Sequence, residues 1–178
     1  MSRKIILFIA TSIDGYIADA NGGVKWLDEN VHGSERDDSY TKMYSQIDTV
    51  VLGRKTYDQV VNELFPERYI YEDKMTYVVT SQKRKDLSEV NFVDESPIEL
   101  IKSLKNKSGR DIWIVGGQRL IDPLVKNNLI DQYILTTMPI FLGEGIRLFD
   151  HLGSTVPVRL IETYAKNELV YSIYERGE

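Results

Sequence analysis

The sequence contains no cysteine. This absence excludes disulfide bonds, a catalytic thiolate and any metal site built on cysteine sulfur. Histidine is nearly as scarce, since the chain has only His32 and His151, and these lie too far apart in the sequence to be spaced like two ligands of one zinc ion. We therefore predict that the protein has no metal site.

Long apolar runs are also missing, because no stretch approaches the ~20 residues that a membrane span needs. The first residues have a basic start and an apolar run, as a secretion signal does. However, the run is only about six residues long and continues into Thr-Ser-Ile-Asp-Gly instead of a small-residue cleavage site. We therefore expect a first β-strand, a cytoplasmic location and no membrane partner.

Excess positive charge is absent as well. The chain has 22 basic and 27 acidic residues, which gives a formal net charge of −5. This balance argues against a general nucleic-acid-binding surface, although it permits a local basic pocket for a phosphate. A length of 178 residues with 42% hydrophobic residues suits one domain, which we expect to span residues 1–178.

Short apolar runs that predict β-strands alternate with amphipathic segments that predict helices. This alternation predicts an α/β fold with a mostly parallel sheet and a C-terminal antiparallel hairpin around Lys166-Asn167. The predicted strands are Lys4–Ala10, Asp48–Leu52, Met75–Thr80, Val90–Val93, Asp111–Val115, Gln132–Met138, Leu160–Tyr164 and Leu169–Tyr174. The predicted helices are Glu35–Gln46, Thr56–Leu64, Pro97–Asn106 and Gln118–Lys126.

Two helix details follow from local chemistry. Ser96 is a good N-cap for the third helix, with Pro97 at the first helical position and Glu99 three residues after the cap. In the fourth helix, Pro123 lacks the N–H of an interior residue, so we expect a kink or a shortened helix there.

Two adjacent glycines, Gly116 and Gly117, stand where the fifth strand becomes the fourth helix. Backbone N–H groups at a helix start, together with the helix dipole, favour an anion, and the missing side chains let a phosphate approach. The alternative is tight strand–helix packing with no ligand.

A second strand ends in Gly53-Arg54-Lys55-Thr56. Cations at a helix start oppose the helix dipole, and a bound dianion would reverse that disadvantage. Thr56 can cap the helix or donate its hydroxyl to a phosphate oxygen. A third strand ends in Thr80-Ser81, which offers hydroxyl groups and can equally be an ordinary polar turn. Cations near a helix start suit the 2′-phosphate of NADPH better than the ribose of NADH.

In this order and spacing, the three segments resemble the dihydrofolate reductase fold. Thr11-Ser-Ile-Asp-Gly-Tyr-Ile-Ala18 and Met138-Pro-Ile-Phe-Leu-Gly-Glu-Gly-Ile-Arg-Leu-Phe149 resemble one branch of it, the reductase domain of bacterial riboflavin-biosynthesis deaminase-reductases. The likeness is greatest to the small stand-alone proteins related to that domain.

The resemblance implies a three-layer α/β/α domain that binds NADPH, acts as a reductase on a small molecule and forms a homodimer. It places the adenosine end and its 2′-phosphate at Gly53–Thr56 and Thr80-Ser81. It places the nicotinamide between Ala10-Thr11 and Ile17. The implied pyrophosphate site is Val115, Gly116, Gly117, Gln118, Arg119 and Leu120.

The substrate side is less defined. Asp14 is the candidate to orient a substrate or relay a proton, although Asp14-Gly15 also fits a tight turn. The other candidate substrate residues, for stacking on a flat ring or binding an anion, are Ser12, Trp26, Gly143, Glu144 and Arg147. The alternatives are a core position for Trp26 and a surface loop or dimer contact for Gly143–Arg147.

Two departures from the family patterns affect the choice of reaction. The carboxylate that binds the pterin in dihydrofolate reductases aligns with Val31, and Asp28 and Glu29 fall about one turn early. The glutamate that usually precedes the double glycine in the deaminase-reductases is Val115 here. We predict a hydride-transferring reductase similar to 5-amino-6-(5-phosphoribosylamino)uracil reductase. A dihydrofolate reductase proper and a non-catalytic NADPH-binding module are the alternatives.

Overall fold

An eight-stranded sheet organises residues 3–29 and 33–178, the part of the chain that the computed structural model describes. Its strand order is β5-β4-β3-β6-β1-β7-β10-β9, and a separate pair joins β2 to β8. The predicted α/β class, the mostly parallel sheet and the terminal antiparallel hairpin are confirmed. The strands are β1 Ile5–Thr11, β2 Tyr16–Ala18, β3 Ile47–Gly53, β4 Met75–Val79, β5 Val90–Val93, β6 Asp111–Gly116, β7 Gln132–Thr137, β8 Ile146–Arg147, β9 Val158–Lys166 and β10 Leu169–Arg176.

The central strands are apolar because both faces of the sheet are covered. Ile5, Ile6 and Leu7 of β1 are at most 1% exposed although they point alternately to opposite faces. One face packs on α4 (Pro97–Lys105) and α5 (Gln118–Lys126). The other face packs on α2 (Ser39–Gln46) and α3 (Arg54–Gln59). None of the described helices is long and apolar enough to cross a bilayer.

The helix predicted over Glu35–Gln46 begins four residues later, at Ser39. The cause is a contact that is distant in sequence. Asn167, in the β9–β10 turn, accepts from the N–H of Glu35 at 3.0 Å and donates to its carbonyl at 2.8 Å. Because both polar backbone groups of Glu35 bond to the hairpin, this segment does not join the helix.

The helix predicted over Thr56–Leu64 begins earlier, at Arg54, because Gly53 in an extended conformation is its N-cap. Its last part, Val60–Leu64, is a π-helical turn. The other two helices lie where they were predicted. Pro123 does not shorten α5, which continues to Lys126.

Short elements were missed by the sequence pattern. The helix α1 (Trp26–Glu29) has four residues, and β2 and β8 have three and two. The hairpin strands are longer than predicted and turn at Asn167 and Glu168, both with positive φ (51° and 64°). Such turns match the twist of the flanking strands.

Arg3 fastens the amino ends of the strands. Its side chain is 4% exposed, and the guanidinium forms an ion pair with Asp48 of β3. It also donates to Oγ1 of Thr49 at 2.6 Å and to the carbonyls of Arg110 and Leu104 at 2.5 and 3.3 Å. This network joins β1, β3 and the α4–β6 connection at the amino edge of the sheet. The candidate site lies at the opposite edge, where the parallel strands end.

The predicted cap of α4 is present, since Oγ of Ser96 accepts from the N–H of Glu99 at 3.2 Å. We expect Ser96→Ala to lower the free energy of unfolding by about 1 kcal/mol, because a helix N–H loses its partner. Urea denaturation would measure this change. Ser88→Ala, at an exposed serine outside any helix, is the control. Equal stability of Ser96→Ala and the wild type would contradict the assigned cap.

Candidate active site

The ends of β3 and β6 meet at the carboxyl edge through glycines. A Cβ atom on Gly53 would lie 3.7 Å from the carbonyl oxygen of Gly116 and 3.7 Å from the nitrogen of Gly117. A Cβ atom on Gly117 would lie 3.4 Å from Oγ1 of Thr56. Gly116 has a φ of +134°, which any other residue rarely adopts, and the Gly116–Gly117 peptide is cis. The two turns therefore approach each other backbone to backbone, and we call this contact the glycine corner.

The start of α5 presents free donors beside the glycine corner. The N–H groups of Leu120 and Ile121 already bond to the carbonyl of Gly117, at 2.9 and 3.1 Å. Within residues 3–29 and 33–178, no hydrogen-bond acceptor is found for the N–H groups of Gln118 and Arg119. Two donors at the positive end of a helix dipole thus remain available to an anion.

A charged cluster lies at the start of α3. Arg54 donates to Oδ2 of Asp58 at 2.9 Å. Arg84, which follows β4, reaches the same carboxylate with two bonds of 2.6 and 3.0 Å. The side chains of Arg54, Asp58 and Arg84 are 31%, 26% and 29% exposed, so the cluster is half-buried and accessible.

The electrostatics of this arginine cluster favour an additional anion. The hydrogen bond from Arg84, followed by that from Arg54, lowers the pKa of the Asp58 carboxyl. Asp58 is therefore ionised at neutral pH, and two guanidinium groups share one carboxylate. The cluster retains a net positive charge, to which the exposed Lys55 adds.

The two hydroxyl-bearing residues at the end of β4 differ in their exposure to solvent. Thr80 is 8% exposed, and its Oγ1 accepts from the N–H of Gln82 at 3.0 Å. Ser81 is exposed. Since β4 pairs with β3 in parallel, with Gly53 opposite Val79, both residues lie at the same edge as the glycine corner.

Asp14 joins two loops. Its Oδ1 accepts from the hydroxyl of Ser12 at 2.6 Å and from the N–H of Leu142 at 3.1 Å, and its Oδ2 accepts from the N–H of Gly143 at 2.8 Å. The bond from Ser12 lowers the pKa of Asp14 most, the backbone bonds add to the shift, and the pKa reaches about 2. The tight turn is also present, because the N–H of Gly15 bonds to the carbonyl of Ser12 at 3.0 Å.

Arg147 lies beside a separate cavity of about 260 Å³. Its guanidinium carbon is 5.0 Å from the ring centre of Tyr16, which it faces across the β2–β8 pair. Gly143 and Glu144, in the preceding loop, are exposed. The cavity is lined by Thr11, Leu135, Thr137, Arg147, Ser172 and Tyr174, among others.

The end of β1 separates this cavity from the other face of the sheet. Thr11 lines the cavity, whereas Ala10 packs on the opposite face with Trp26 and Met138. Trp26 is 6% exposed. It therefore occupies a core position, which was the alternative to stacking on a substrate ring. Ile17 is partly buried against the core on the cavity side.

A loop runs from β2 towards the arginine cluster. Oδ1 of Asp19 accepts from the N–H groups of Asn21 and Gly23, both at 2.8 Å, and so closes the loop on itself. Gln59 of α3 donates from Nε2 to the carbonyl of Gly22 at 2.8 Å. The position of the loop is therefore set by the helix that carries Arg54 and Asp58.

Metal ligands do not gather in the described part of the chain, where no three His, Asp or Glu side chains are placed to hold an ion. His151 is exposed beside Asp150. His32 lies outside the described residues.

Comparison with known proteins shows the family of this chain. A family model described as the RibD C-terminal domain matches residues 3–170. The chain belongs to the RibD C-terminal domain family. Uncharacterized protein YwjB of Bacillus subtilis is 38% identical over 180 residues, which cover 99% of this chain and all of that protein.

Solved structures show the fold of this family member. A putative riboflavin biosynthesis protein from Shewanella sp. PV-4 is 30% identical, with full coverage of both chains and a TM-score of 0.86. Dihydrofolate reductase from Enterococcus faecalis, complexed with NADP(H) and RAB-propyl, is 19% identical with full coverage of both chains and a TM-score of 0.70. The Thermotoga maritima deaminase/5-amino-6-(5-phosphoribosylamino)uracil reductase is 15% identical, and the match covers 99% of this chain and 57% of that protein, with a TM-score of 0.71. The dihydrofolate reductase-like fold is thereby confirmed, and family membership supports a reductase-type function.

The structure of this family member adds three residues to those singled out by sequence. Arg84, Asp58 and Gln59 contact or hold the predicted cofactor edge. The basic run Lys83-Arg84-Lys85 after the third predicted strand was a signal for the first of these. Asp58 and Gln59 gave none, because they are ordinary residues of an amphipathic helix. The predicted pyrophosphate residue Leu120 has a buried side chain and an N–H bonded to Gly117, so it shapes the helix start.

We expect Asp14→Asn to destabilise the protein at neutral pH, because an amide has one acceptor oxygen where the carboxylate has two. The pKa of Asp14 lies below its ordinary 3.8 in the folded state. Its contribution to stability is therefore complete above about pH 4 and is lost as the pH falls towards 2. Urea denaturation over this range should show the gap between Asp14→Asn and the wild type shrinking. A constant gap would contradict the assignment, and Asp94→Asn, at an exposed residue, is the control.

Proposed function

We propose that this protein is an NADPH-dependent reductase. It transfers a hydride to a small heterocyclic or sugar-derived substrate, in a reaction similar to that of 5-amino-6-(5-phosphoribosylamino)uracil reductase. The observation that carries the proposal is the position of the glycine corner between two anion-favouring groups. On one side are the free N–H groups of Gln118 and Arg119, and on the other is the arginine cluster of Arg54 and Arg84.

The glycine corner fits a pyrophosphate. The N–H groups of Gln118 and Arg119 would donate to its oxygens, and the α5 dipole favours its charge. Gly116 and Gly117 bring no Cβ atoms that would keep a phosphate from the backbone. Val115 and Leu120 support this turn by packing against the core.

The arginine cluster fits the 2′-phosphate of NADPH. Asp58 orders both guanidinium groups before any ligand arrives, and each keeps N–H groups that Asp58 does not use. Lys55 adds charge, and the hydroxyl of Thr56, which lies near Gly117, is within the same corner. Thr80 and Ser81 would contact the adenosine side.

Bound NADPH would supply the hydride from its nicotinamide ring. The protein contributes orientation and exclusion of water, with Ala10, Thr11 and Ile17 around the ring. Asp14 has no proton to donate at neutral pH, because its pKa is about 2. We propose that Asp14 positions Ser12 and the loop that begins at Leu142, and that water supplies the proton.

On the substrate side, Arg147 is the proposed anchor for an anionic group such as a phosphate. It forms no ion pair within the described residues, and it opens onto the cavity beside Thr11. Gly143 and Glu144 would contact the same end of the substrate. Because Trp26 is buried, we propose that it supports Ala10 from the core and does not contact the substrate.

Two alternatives differ in chemistry. A dihydrofolate reductase proper would need a carboxylate facing the pterin, but Asp28 and Glu29 are exposed, and Val31 lies outside the described residues. A non-catalytic NADPH-binding module is consistent with an Asp14 that is occupied by three hydrogen bonds. A cytoplasmic location and a homodimer remain parts of the proposal that come from the sequence and the resemblance.

Oxidation of NADPH, followed by its absorbance, should be stimulated by one member of a substrate panel. The panel comprises 5-amino-6-(5-phosphoribosylamino)uracil, dihydrofolate and simple carbonyl compounds. Turnover with the first or with a related sugar-derived compound supports the proposal, and turnover with dihydrofolate alone supports the first alternative. Tight NADPH binding without turnover supports the module, and absence of NADPH binding in calorimetry would overturn all three.

We expect Arg54→Ala and Arg84→Ala each to weaken NADPH binding by about 1.5–3 kcal/mol, because each loses a charged hydrogen bond to the 2′-phosphate. This equals roughly a 10- to 150-fold rise in the dissociation constant. NADH binding should change much less. Calorimetry with both nucleotides measures the difference, and Arg68→Ala, at an exposed arginine that pairs with Glu72, is the control. Equal losses for NADPH and NADH would remove the 2′-phosphate assignment.

A further inference from the structure

A second cavity lies at the amino edge of the sheet, away from the candidate active site. Its volume is about 280 Å³, which is close to the lower end of ligand-binding cavities in proteins. Its walls come from the first halves of β3 and β4, the end of α4 and the loop after α4. The described residues that line it belong neither to the glycine corner nor to the arginine cluster. We call it the amino-edge cavity.

A buried guanidinium with an unused donor lines the amino-edge cavity. A guanidinium has five N–H groups. The four hydrogen bonds of Arg3 leave one N–H of Nη1 without an acceptor in residues 3–29 and 33–178. The loop packs closely on this side chain, since a Cβ atom on Gly109 would lie 3.1 Å from Cζ of Arg3. An unused donor in a side chain that is 4% exposed is unfavourable, so it favours a ligand that supplies an oxygen.

The charge around the amino-edge cavity favours an anion. Asp48 is the one carboxylate among its described lining residues, and both of its oxygens are occupied. Oδ1 accepts from Arg3 and from the hydroxyl of Thr49, and Oδ2 accepts from the N–H of Arg110 at 2.7 Å. Lys107 adds a second cation, and its ammonium group forms no ion pair within the described part of the chain. Since Asp48 neutralises Arg3, the cavity keeps one positive charge.

The remaining wall of the cavity is apolar and includes an aromatic ring. Met75, Tyr77 and Leu104 contribute it. The ammonium nitrogen of Lys107 is 5.9 Å from the ring centre of Tyr77, within the range of a cation–π contact. A flat molecule that stacks on this ring therefore has its charged group within reach of Lys107. A bare inorganic anion would use the cations and leave the apolar wall unused.

We infer that the amino-edge cavity binds a small aromatic carboxylate. The carboxylate accepts from the free N–H of Arg3 and from Lys107, and the ring lies against Tyr77. The hydroxyl of Ser108, an exposed residue that also lines the cavity, is a further donor. This class of ligand uses the buried donor, the excess positive charge and the apolar wall together. The inference does not depend on the proposed reductase activity, because the two sites lie at opposite edges of the sheet.

The probe for this site is benzoate, and the reporter is the methyl signal of Met75 in NMR spectra of protein labelled at methionine. An aromatic ring in the cavity shifts this signal, whereas Met43 and Met138 lie in other parts of the core. We expect a saturating shift with a dissociation constant of about 1 mM, as suits so small a ligand. Met75→Leu identifies the signal by removing it. A Met75 signal that benzoate leaves unchanged would overturn the inference.

Two related probes separate the ring from the charge. Benzamide keeps the ring without the charge, and inorganic phosphate keeps charge without the ring. In competition with benzoate, each should bind at least about tenfold more weakly, because each loses one of the two contributions. Phosphate that binds as tightly as benzoate would overturn the assignment to an aromatic carboxylate.

Lys107→Ala should raise the dissociation constant of benzoate about tenfold, because the carboxylate loses a charged hydrogen bond. Lys107→Arg should restore most of the binding. The matched control is Lys102→Ala, at an exposed lysine of α4 that pairs with Glu99, and it should bind benzoate as the wild type does. Thermal melting verifies that each variant folds. Unchanged binding by Lys107→Ala would overturn the site, and calorimetry with NADPH tests the reductase proposal separately.

Discussion

The backbone contact among Gly53, Gly116 and Gly117 is the constraint on which the rest of the site depends. Parallel pairing of β3 with β6 brings these turns to one edge, and the absence of side chains lets the turns come together. The starts of α3 and α5 then lie side by side. An anion-favouring helix start and a guanidinium cluster become neighbours because of this contact, although the sequence separates them by about sixty residues.

Carboxylates organise both halves of the candidate site. Asp58 holds Arg54 and Arg84, and Asp14 holds Ser12 and the backbone at Gly143. In each case hydrogen bonds lower the pKa of the carboxyl, so the charge persists at neutral pH. In the proposed function, the guanidinium groups that Asp58 holds would bind a phosphate of the ligand, and water would supply the proton.

Sequence reasoning succeeded where structure is decided by neighbours in the chain. The Ser96 cap, the buried parallel strands and the Gly116-Gly117 turn depend on local chemistry and on hydrophobic period. It failed where a distant residue decides. Glu35 lies outside the helix predicted for it because its backbone bonds to Asn167. Arg84 contacts Asp58 because β4 pairs with β3. The roles of the site residues stay predictions, because strand pairing and burial do not determine which atoms a ligand contacts.

The bond from Gln59 to the carbonyl of Gly22 has a consequence for protein engineering. Asp19 fixes the internal turn of the loop of residues 19–23. The position of the loop is fixed by Gln59 of α3, which is almost forty residues away in the sequence. A loop transplanted from a relative would keep its own shape and lose its anchor. Exchanging such loops among homologues to alter selectivity therefore requires moving the residue at position 59 together with the graft.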